Sequence, residues 1–450
     1  MPIGDRLHTT WLYSDRTFPQ RFIRPVLRFT QVEAAGGLVL LLAALSALAW
    51  ANSPWRQSYF DLWQTTLELD LAFLSIEETL REAVNDGLMA IFFFLVGLEV
   101  KRELVVGELR DPRSAALPAI AALGGMVMPA LVYLALAGGT APRGWGIPMA
   151  TDIAFSLGVV ALLGPRVPVG ARLFLLALAV VDDIGVISVI AVFYSGELSF
   201  SWLALGLASL LAVSVARQIG VRAMAAYVIL AVFTWLAFLE SGVHATIAGV
   251  ALGLLTPARP MYSDEEYFRR ASELLDRFKT AAAREWAEER VDAQALTLAR
   301  VAEESVSPLD RLEAALHPWS SFVIVPIFAL ANSGVVLTGS AEALSHPVTL
   351  GVALGLLLGK VAGISLFSLA AVKLGLGRLP PHTDWGHLVG LSALAGIGFT
   401  VSLFVAALAF GDPELADRAR VGIFAGSALA GLLGFLLLRR HVPRPTAARS

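Results

Sequence analysis

Twelve stretches of the chain consist almost entirely of apolar residues, and short polar connections separate most of them. A helix needs about 20 apolar residues to cross the roughly 30 Å hydrocarbon layer of a bilayer. The pattern predicts an all-α membrane protein with twelve transmembrane helices. The predicted spans are 34–51, 83–100, 114–137, 147–163, 171–194, 200–216, 222–240, 242–255, 319–338, 348–372, 386–409 and 419–438.

Basic residues alternate from one connection to the next. Residues 1–33 contain five arginines, the tail 441–450 and the two residues before it are also basic, and every second connection repeats the excess. Because positively charged loops remain on the cytoplasmic side, the pattern predicts that both termini are cytoplasmic and flank a transmembrane domain at 34–440. The basic residues of these connections are Lys101, Arg102, Arg110, Arg113, Arg166, Arg172, Arg217, Arg222, Lys373 and Arg378.

The composition supports a membrane protein and excludes several functions. Apolar residues make up 56% of the chain and charged residues 16%, against about a quarter charged in soluble domains. A net charge of −3 argues against nucleic acid as a partner. The absence of cysteine excludes disulfides, thiolate metal sites and cysteine nucleophiles. No tightly held cofactor is implied.

Two segments do not fit the membrane pattern. Residues 257–312 are dense in charge and have helical periodicity, which predicts a cytoplasmic insertion of one or two amphipathic helices, either a solvated connector or a regulatory element. In residues 55–78 apolar and polar residues alternate roughly with period two. This predicts a periplasmic β-hairpin whose exposed edges invite pairing with a second copy of the chain.

The strongest chemical signal is the pair Asp182-Asp183, at the middle of the apolar run from Leu173 to Tyr194. Each carboxylate at the centre of a membrane helix costs about 2.5–3.5 kcal/mol for insertion, so such residues usually handle protons or cations. Neighbours on a helix point about 100° apart, so one can face a cavity while the other meets an adjacent helix. The same oxygens would hold either protons or a cation, although a purely structural pair neutralised by lysine remains an alternative.

Lys360 is the only charge in its predicted span. A lone lysine at that depth needs a carboxylate partner, and one of the two aspartates is the nearest in role. Both a structural ion pair and a proton carrier fit this position.

Two spans are interrupted at corresponding places in the two halves of the chain. The first contains Pro148, Thr151 and Asp152 in GIPMATDIAFSLG. The second is AGIGFTVS, with the candidate unwound residues Gly396, Gly398 and Thr400. Broken helices are tolerated in a membrane where they line a cavity, and paired interruptions are typical of transporters. If the two segments cross, Asp152 could offset two helix N-termini and Lys360 two C-termini.

Four further titratable groups lie near the ends of predicted spans: Glu99, His244, Glu313 and His317. Anchoring at the interface is the ordinary role of such residues, and a pH response is the alternative.

Together these features favour an ion transporter over two rivals. An intramembrane aspartyl protease also uses two buried aspartates, but it needs them close enough to share a proton, normally from two helices. A sodium-gated channel or sensor would need a continuous pore lining or an output domain, and the only candidate for the latter is 257–312.

The motifs resemble those of the NhaA family of bacterial sodium/proton antiporters, in the same order from about Phe29 to Arg440. They are VNDGLMAIFFFLVGLEVKREL, ATDIAFSLG, VVDDIGVI, SGVHATIAG, LHPW, LGKVAGIS and LAGIGFTVSLF. The resemblance implies twelve helices with an inverted repeat, in which the third to fifth spans mirror the tenth to twelfth. It also implies that the fourth and eleventh helices are discontinuous and cross in the membrane.

The resemblance also assigns roles to residues. It places Na⁺ at Asp183 and Asp182, with Thr151 at the same site, and gives Asp182 a salt bridge to Lys360. Asp152 becomes a charge compensator. The pH response falls to a set comprising Glu99, His244, Glu313 and His317.

By the same resemblance, the chain is an electrogenic, pH-dependent antiporter of the bacterial inner membrane. It would export Na⁺ or Li⁺ in exchange for protons and would form a homodimer through 55–78. The charged insertion at 257–312 departs from the family pattern close to Glu313, and so puts pH sensing rather than ion exchange in doubt.

Overall fold

The computed structural model describes residues 33–71, 74–221, 224–282, 288–336 and 344–440. The predictions for residues 1–32 and for the tail 441–450 lie outside the described residues. Every predicted apolar span has a helical counterpart. The helices are α1 (Glu33–Ala51), α2 (Arg56–Gln64), α3 (Leu80–Val105), α4 (Pro112–Ala137), α5 (Ile153–Leu163), α6 (Val169–Phe193), α7 (Phe200–Gln218), α8 (Met224–Glu240), α9 (Thr246–Leu255), α10 (Asp264–Ala282), α11 (Glu288–Glu304), α12 (Pro308–Asn332), α13 (Pro347–Lys373), α14 (Trp385–Leu394), α15 (Phe399–Ala409) and α16 (Pro413–Arg440).

Among the described residues, eight helices are long and apolar enough to cross a membrane, or ten if each of two bent pairs is one span. The predicted seventh and eighth spans correspond to α8 and α9, which have 17 and 10 residues. Ten helical residues rise only about 15 Å, half of the hydrocarbon thickness. The fold is therefore that of a multi-pass helical membrane protein, and the count of twelve spans stays a prediction.

The helix that contains the predicted ninth span, α12, begins before the apolar residues of that span. The side chain of Ser307 accepts a hydrogen bond from the backbone N–H of Asp310 at 3.1 Å, and Pro308 occupies the first helical position. Both features start a helix. Glu313 and His317 therefore lie inside α12 rather than in a connecting loop.

The region predicted as a hairpin contains a helix and a hairpin. Strands β1 (Thr66–Leu71) and β2 (Leu74–Thr79) pair in antiparallel fashion, with Thr66 opposite Thr79. The preceding residues form α2 instead, because Tyr59 and Trp63, one helical turn apart, are both buried on one face.

The charged insertion contains the predicted amphipathic pair, α10 and α11, which pack together. Two backbone hydrogen bonds close the base of this helical hairpin, from Met261 N to Glu304 O at 3.0 Å and from Leu309 N to Pro257 O at 3.2 Å. The insertion thus begins and ends beside the start of α12.

Small residues bring the membrane helices into close contact. Gly124 of α4 faces the backbone of Gly363 of α13, and a Cβ added at Gly97 of α3 would lie 2.7 Å from the Val250 carbonyl oxygen of α9. Such residues allow backbones to approach closely where no water drives association. The contact between α4 and α13 holds Lys360 beside the interrupted helices.

Candidate ion-binding site

The two predicted interruptions lie against each other in the structure. A short 3₁₀ segment, Pro142–Met149, leads into α5 through the extended residues 150–152. Residues 395–398 separate α14 from α15, which are bent by 47° relative to each other. The backbone N–H of Asp152 donates to the carbonyl of Ile397 at 2.6 Å. We call residues 150–152 and 395–398 together the helix crossing.

Small hydroxyl side chains satisfy carbonyl groups around the helix crossing. Thr151 Oγ1 donates to Ala395 O at 2.8 Å, and Ser156 Oγ donates to Leu394 O at 2.9 Å. From the other segment, Ser402 Oγ donates to Ile147 O at 2.7 Å. Unpaired backbone groups are costly in a membrane interior, so these bonds stabilise the two breaks.

Two glycines are required by the close approach of the segments. A Cβ at Gly398 would lie 2.9 Å from the Ala150 carbonyl oxygen, and one at Gly396 would overlap the Leu356 carbonyl oxygen. Both contacts are closer than real Cβ atoms make, so Gly396 and Gly398 occupy positions where only glycine fits without a shift. Thr400, which was also predicted to be unwound, lies instead in the first turn of α15.

Asp152 caps two helices with one carboxylate. Its Oδ1 accepts from the backbone N–H of Phe155 at 3.1 Å in the first turn of α5. Its Oδ2 accepts from the N–H of Thr400 at 3.1 Å and from its hydroxyl at 2.6 Å, in the first turn of α15. Each helix N-terminus carries a partial charge of about +0.5, so the two ends together balance about one negative charge.

Lys360 and Asp182 form an ion pair whose side chains are both 0% exposed. The Lys360 ammonium donates to Asp182 Oδ2 at 2.6 Å and to Thr151 Oγ1 at 3.0 Å. The predicted contact of Lys360 with helix C-termini is indirect, because Thr151 passes a hydrogen bond to the Ala395 carbonyl at the end of α14.

Asp183 differs from its neighbour. Its residue is 7% exposed, and its carboxylate has no hydrogen bond or ion pair with any residue that the structure describes. Asp182 Oδ1 is also buried without a hydrogen-bond partner. Since Lys360 is paired with Asp182 and two helix ends balance Asp152, Asp183 is left without a dedicated partner among the described residues.

The donors available to a cation here are carboxylate and hydroxyl oxygens. Within the described part of the chain, no three His, Asp or Glu side chains lie close enough to hold a metal ion. A cation at Asp183 would therefore rely on one or two carboxylates and on backbone carbonyls, the hard oxygen ligands that suit alkali and alkaline-earth ions.

The residues predicted for a pH response are only partly brought together. Arg102 of α3 binds Glu313 of α12 with an N–O distance of 2.7 Å, and Glu99 lies one turn before Arg102 within electrostatic range of both. His317 is exposed one turn beyond Glu313. His244 lies elsewhere, with its Nε2 2.8 Å from the Tyr194 carbonyl oxygen at the end of α6.

Sequence reasoning missed three hydroxyl residues of this site. Ser156 and Ser402 bond across the helix crossing, and Ser427 accepts from Gly398 N at 3.3 Å. In the sequence, each of them is only an isolated serine in an apolar helix. Ser156 additionally lies one helical turn after Asp152.

Comparison with known proteins identifies close relatives. An antiporter named Na(+)/H(+) antiporter NhaA from Rhodopirellula baltica is 46% identical over 428 residues, which cover 95% of this chain and 96% of that protein. Na(+)/H(+) antiporter NhaA 3 from Frankia alni is 47% identical over 418 residues, covering 92% of this chain and 88% of that protein.

A solved structure shares the fold. The sodium/proton antiporter MjNhaP1 from Methanocaldococcus jannaschii superimposes with a TM-score of 0.50 over 93% of this chain and 99% of that chain, at 13% sequence identity. The model of the family Na+/H+ antiporter 1 matches residues 27–438. With a match of that length and relatives at this level of identity, the chain belongs to the Na+/H+ antiporter 1 family, which comprises transporters rather than enzymes.

Proposed function

We propose that this protein is an electrogenic, pH-dependent antiporter that exports Na⁺ or Li⁺ in exchange for protons, with Asp182, Asp183 and Thr151 at the ion site. The observation that carries the proposal is the buried carboxylate of Asp183, which has no ion-pair partner among the described residues, beside Asp182, which is paired with Lys360. A buried charge without a partner is strongly disfavoured, so Asp183 needs either a proton or a cation.

Competition for the same oxygens couples the two ions. At low cytoplasmic pH the aspartates hold protons, and Na⁺ finds no charge to bind. As the pH rises the protons leave, and a Na⁺ that binds at Asp183 replaces them. The loaded site then opens to the other side, where the higher proton concentration reverses the exchange.

Charge balance at the helix crossing supports movement of this site. Asp152 compensates the ends of two helices and Lys360 compensates Asp182, which leaves Asp183 as the carboxylate without a fixed partner among the described residues. If more than one proton enters per Na⁺, each cycle moves net positive charge inward. The membrane potential then contributes about 2.3 kcal/mol per charge per 100 mV.

The pH response is assigned to the cluster of Glu99, Arg102 and Glu313, with His317 and His244 as further candidates. The ion pair between Arg102 of α3 and Glu313 of α12 supports this assignment, because it joins the two helices. The insertion that ends at α12 adjoins the same helix.

The proposed setting is the bacterial inner membrane, with twelve spans, an inverted repeat and both termini in the cytoplasm. The alternation of basic connections supports this orientation. A homodimer through 55–78 is supported by the two-stranded sheet of β1 and β2, because each of its strands has an unpaired edge.

Everted membrane vesicles test the exchange directly. A respiration-driven pH gradient is followed with a fluorescent amine, and NaCl is then added to vesicles with wild type, Asp183→Asn or the matched surface variant Asp276→Asn. We expect Na⁺-dependent dequenching in wild type and Asp276→Asn and none in Asp183→Asn. Absence of any response to Na⁺ or Li⁺ between about pH 6.5 and 9, or a Na⁺ current without proton movement, contradicts the proposal.

A further inference from the structure

A groove of about 750 Å³ opens on the outer surface of the helix bundle. It lies between α4, the 3₁₀ segment Pro142–Met149 and α6. Its walls include Leu123, Leu131 and Leu134, which are 50%, 54% and 41% exposed and therefore face the hydrocarbon rather than the protein core.

The groove has the length of one lipid tail. From Leu134 to Leu123 it follows twelve residues of α4, whose eleven steps of 1.5 Å span about 16 Å, close to half of the roughly 30 Å hydrocarbon layer. A chain that enters at the Leu134 end thus reaches the bilayer midplane where the groove ends.

One charged side chain, that of Arg143, lies at the Leu134 end. Arg143 is exposed, and no carboxylate of the described residues lies within 4 Å of its guanidinium. Its backbone is held in place, because Tyr194 Oη donates to its carbonyl oxygen at 2.6 Å. Arginine matches a phosphodiester with two parallel hydrogen bonds.

An aromatic residue stands next to this arginine. Trp145 lines the groove and packs edge-on against Phe193, with ring centroids 5.2 Å apart. Tryptophan is enriched at the level of lipid headgroups. The polar and aromatic end of the groove is therefore at the membrane interface, and the apolar remainder lies within one leaflet.

We propose that this groove is a binding site for an anionic glycerophospholipid, with its phosphate on Arg143 and one acyl chain along α4. The inner end of the groove is formed by Met149, which directly precedes the helix crossing, and by Gly185, two residues after Asp183. The bound lipid contacts both elements that carry the ion-binding site and stabilises their packing.

Lipid titration followed by native mass spectrometry and by thermal unfolding tests the site. The purified, delipidated protein is titrated with palmitoyl-oleoyl phosphatidylglycerol and, in parallel, with a diacylglycerol that has the same chains and no phosphate. Arg143→Gln removes the charge, Leu134→Trp fills the entrance, and Arg166→Gln is the matched control for loss of an exposed arginine elsewhere.

We expect wild type and Arg166→Gln to bind phosphatidylglycerol in preference to diacylglycerol and to unfold at a higher temperature when it is bound. Arg143→Gln should weaken phosphatidylglycerol binding about tenfold, the loss expected for hydrogen bonds to a charged group, and leave diacylglycerol binding unchanged. Leu134→Trp should weaken both. Equal losses in Arg143→Gln and Arg166→Gln, or unchanged binding in Leu134→Trp, would overturn the proposal. Neither readout requires transport, so the result is independent of the proposed antiport.

Discussion

Two ion pairs of nearly equal geometry stand in very different surroundings. Lys360 and Asp182 are 2.6 Å apart and fully buried, whereas Arg102 and Glu313 are 2.7 Å apart with side chains 52% and 16% exposed. The same Coulomb attraction is about four times stronger at an effective dielectric constant of 20 than in water at 80. Distance therefore says little about what each pair does.

The Lys360–Asp182 pair is shielded from water, whereas the Arg102–Glu313 pair is partly open to it. Around the helix crossing, Asp152 and Asp182 each have a fixed partner, whereas Asp183 has none among the described residues. The Arg102 side chain is 52% exposed, so water can solvate its guanidinium when the pair opens. Under the proposed function, the first region handles the ion and the second responds to pH.

The largest effect is expected from removing one member of the buried pair. Lys360→Met should lower the free energy of unfolding by about 3–5 kcal/mol, because Asp182 is left buried and unpaired. The double variant Lys360→Met/Asp182→Asn should regain most of this loss. Denaturant unfolding in detergent measures both, and a double variant as unstable as the single one would show that the pair is not the source.

The cap shared by two helices can be weakened in a graded way. Thr400→Val removes the hydroxyl that donates to Asp152 Oδ2 and should cost about 1.5–3 kcal/mol, as for a hydrogen bond to a charged group. Thr400→Ser keeps the donor and should stay near wild type. A loss in Thr400→Ser as large as in Thr400→Val would contradict the assignment of the effect to the hydroxyl donor.

Because backbones approach closely at the helix crossing, adding a single methyl group there should lower the free energy of unfolding. Gly396→Ala should lower the free energy of unfolding by about 1–3 kcal/mol, because the added Cβ overlaps the Leu356 carbonyl oxygen. Gly139→Ala is the matched control, because no atom lies within 4 Å of the added Cβ. The two unfolding curves should separate clearly, and coincident curves would contradict the geometry of the crossing.

The smallest effect is expected at the Arg102–Glu313 pair. Arg102→Gln should change the unfolding free energy by at most about 1 kcal/mol, and the change should shrink at high salt. Arg110→Gln, an exposed arginine nearby, is the control. A loss in Arg102→Gln as large as in Lys360→Met would remove the distinction between the two regions.

Much of the ion-binding site was predictable because charge in an apolar run carries its own signal. Asp182, Asp183, Asp152 and Lys360 each stand out in the sequence, and the structure gathers Asp152, Asp182 and Lys360 around the helix crossing, with Asp183 next to Asp182. The motif resemblance to the family is confirmed by the match over residues 27–438.

The remaining features depend on contacts between distant parts of the chain. Which carbonyl accepts from Ser402, or that Thr400 shares the carboxylate of Asp152, follows from how the two halves pack and not from local pattern. Helix α2 was mistaken for part of a hairpin because a short amphipathic helix and an alternating strand share several apolar positions.

Calorimetric titration of Na⁺ into the purified protein tests the central claim that Asp183 holds either a proton or the cation. Titrations at alkaline pH in buffers of different ionisation enthalpy count the protons released per Na⁺ bound, in wild type, Asp183→Asn and Asp276→Asn. We expect proton release with binding in wild type and Asp276→Asn, and no Na⁺ binding in Asp183→Asn. Na⁺ binding that persists in Asp183→Asn, or that releases no protons in wild type, would contradict the account.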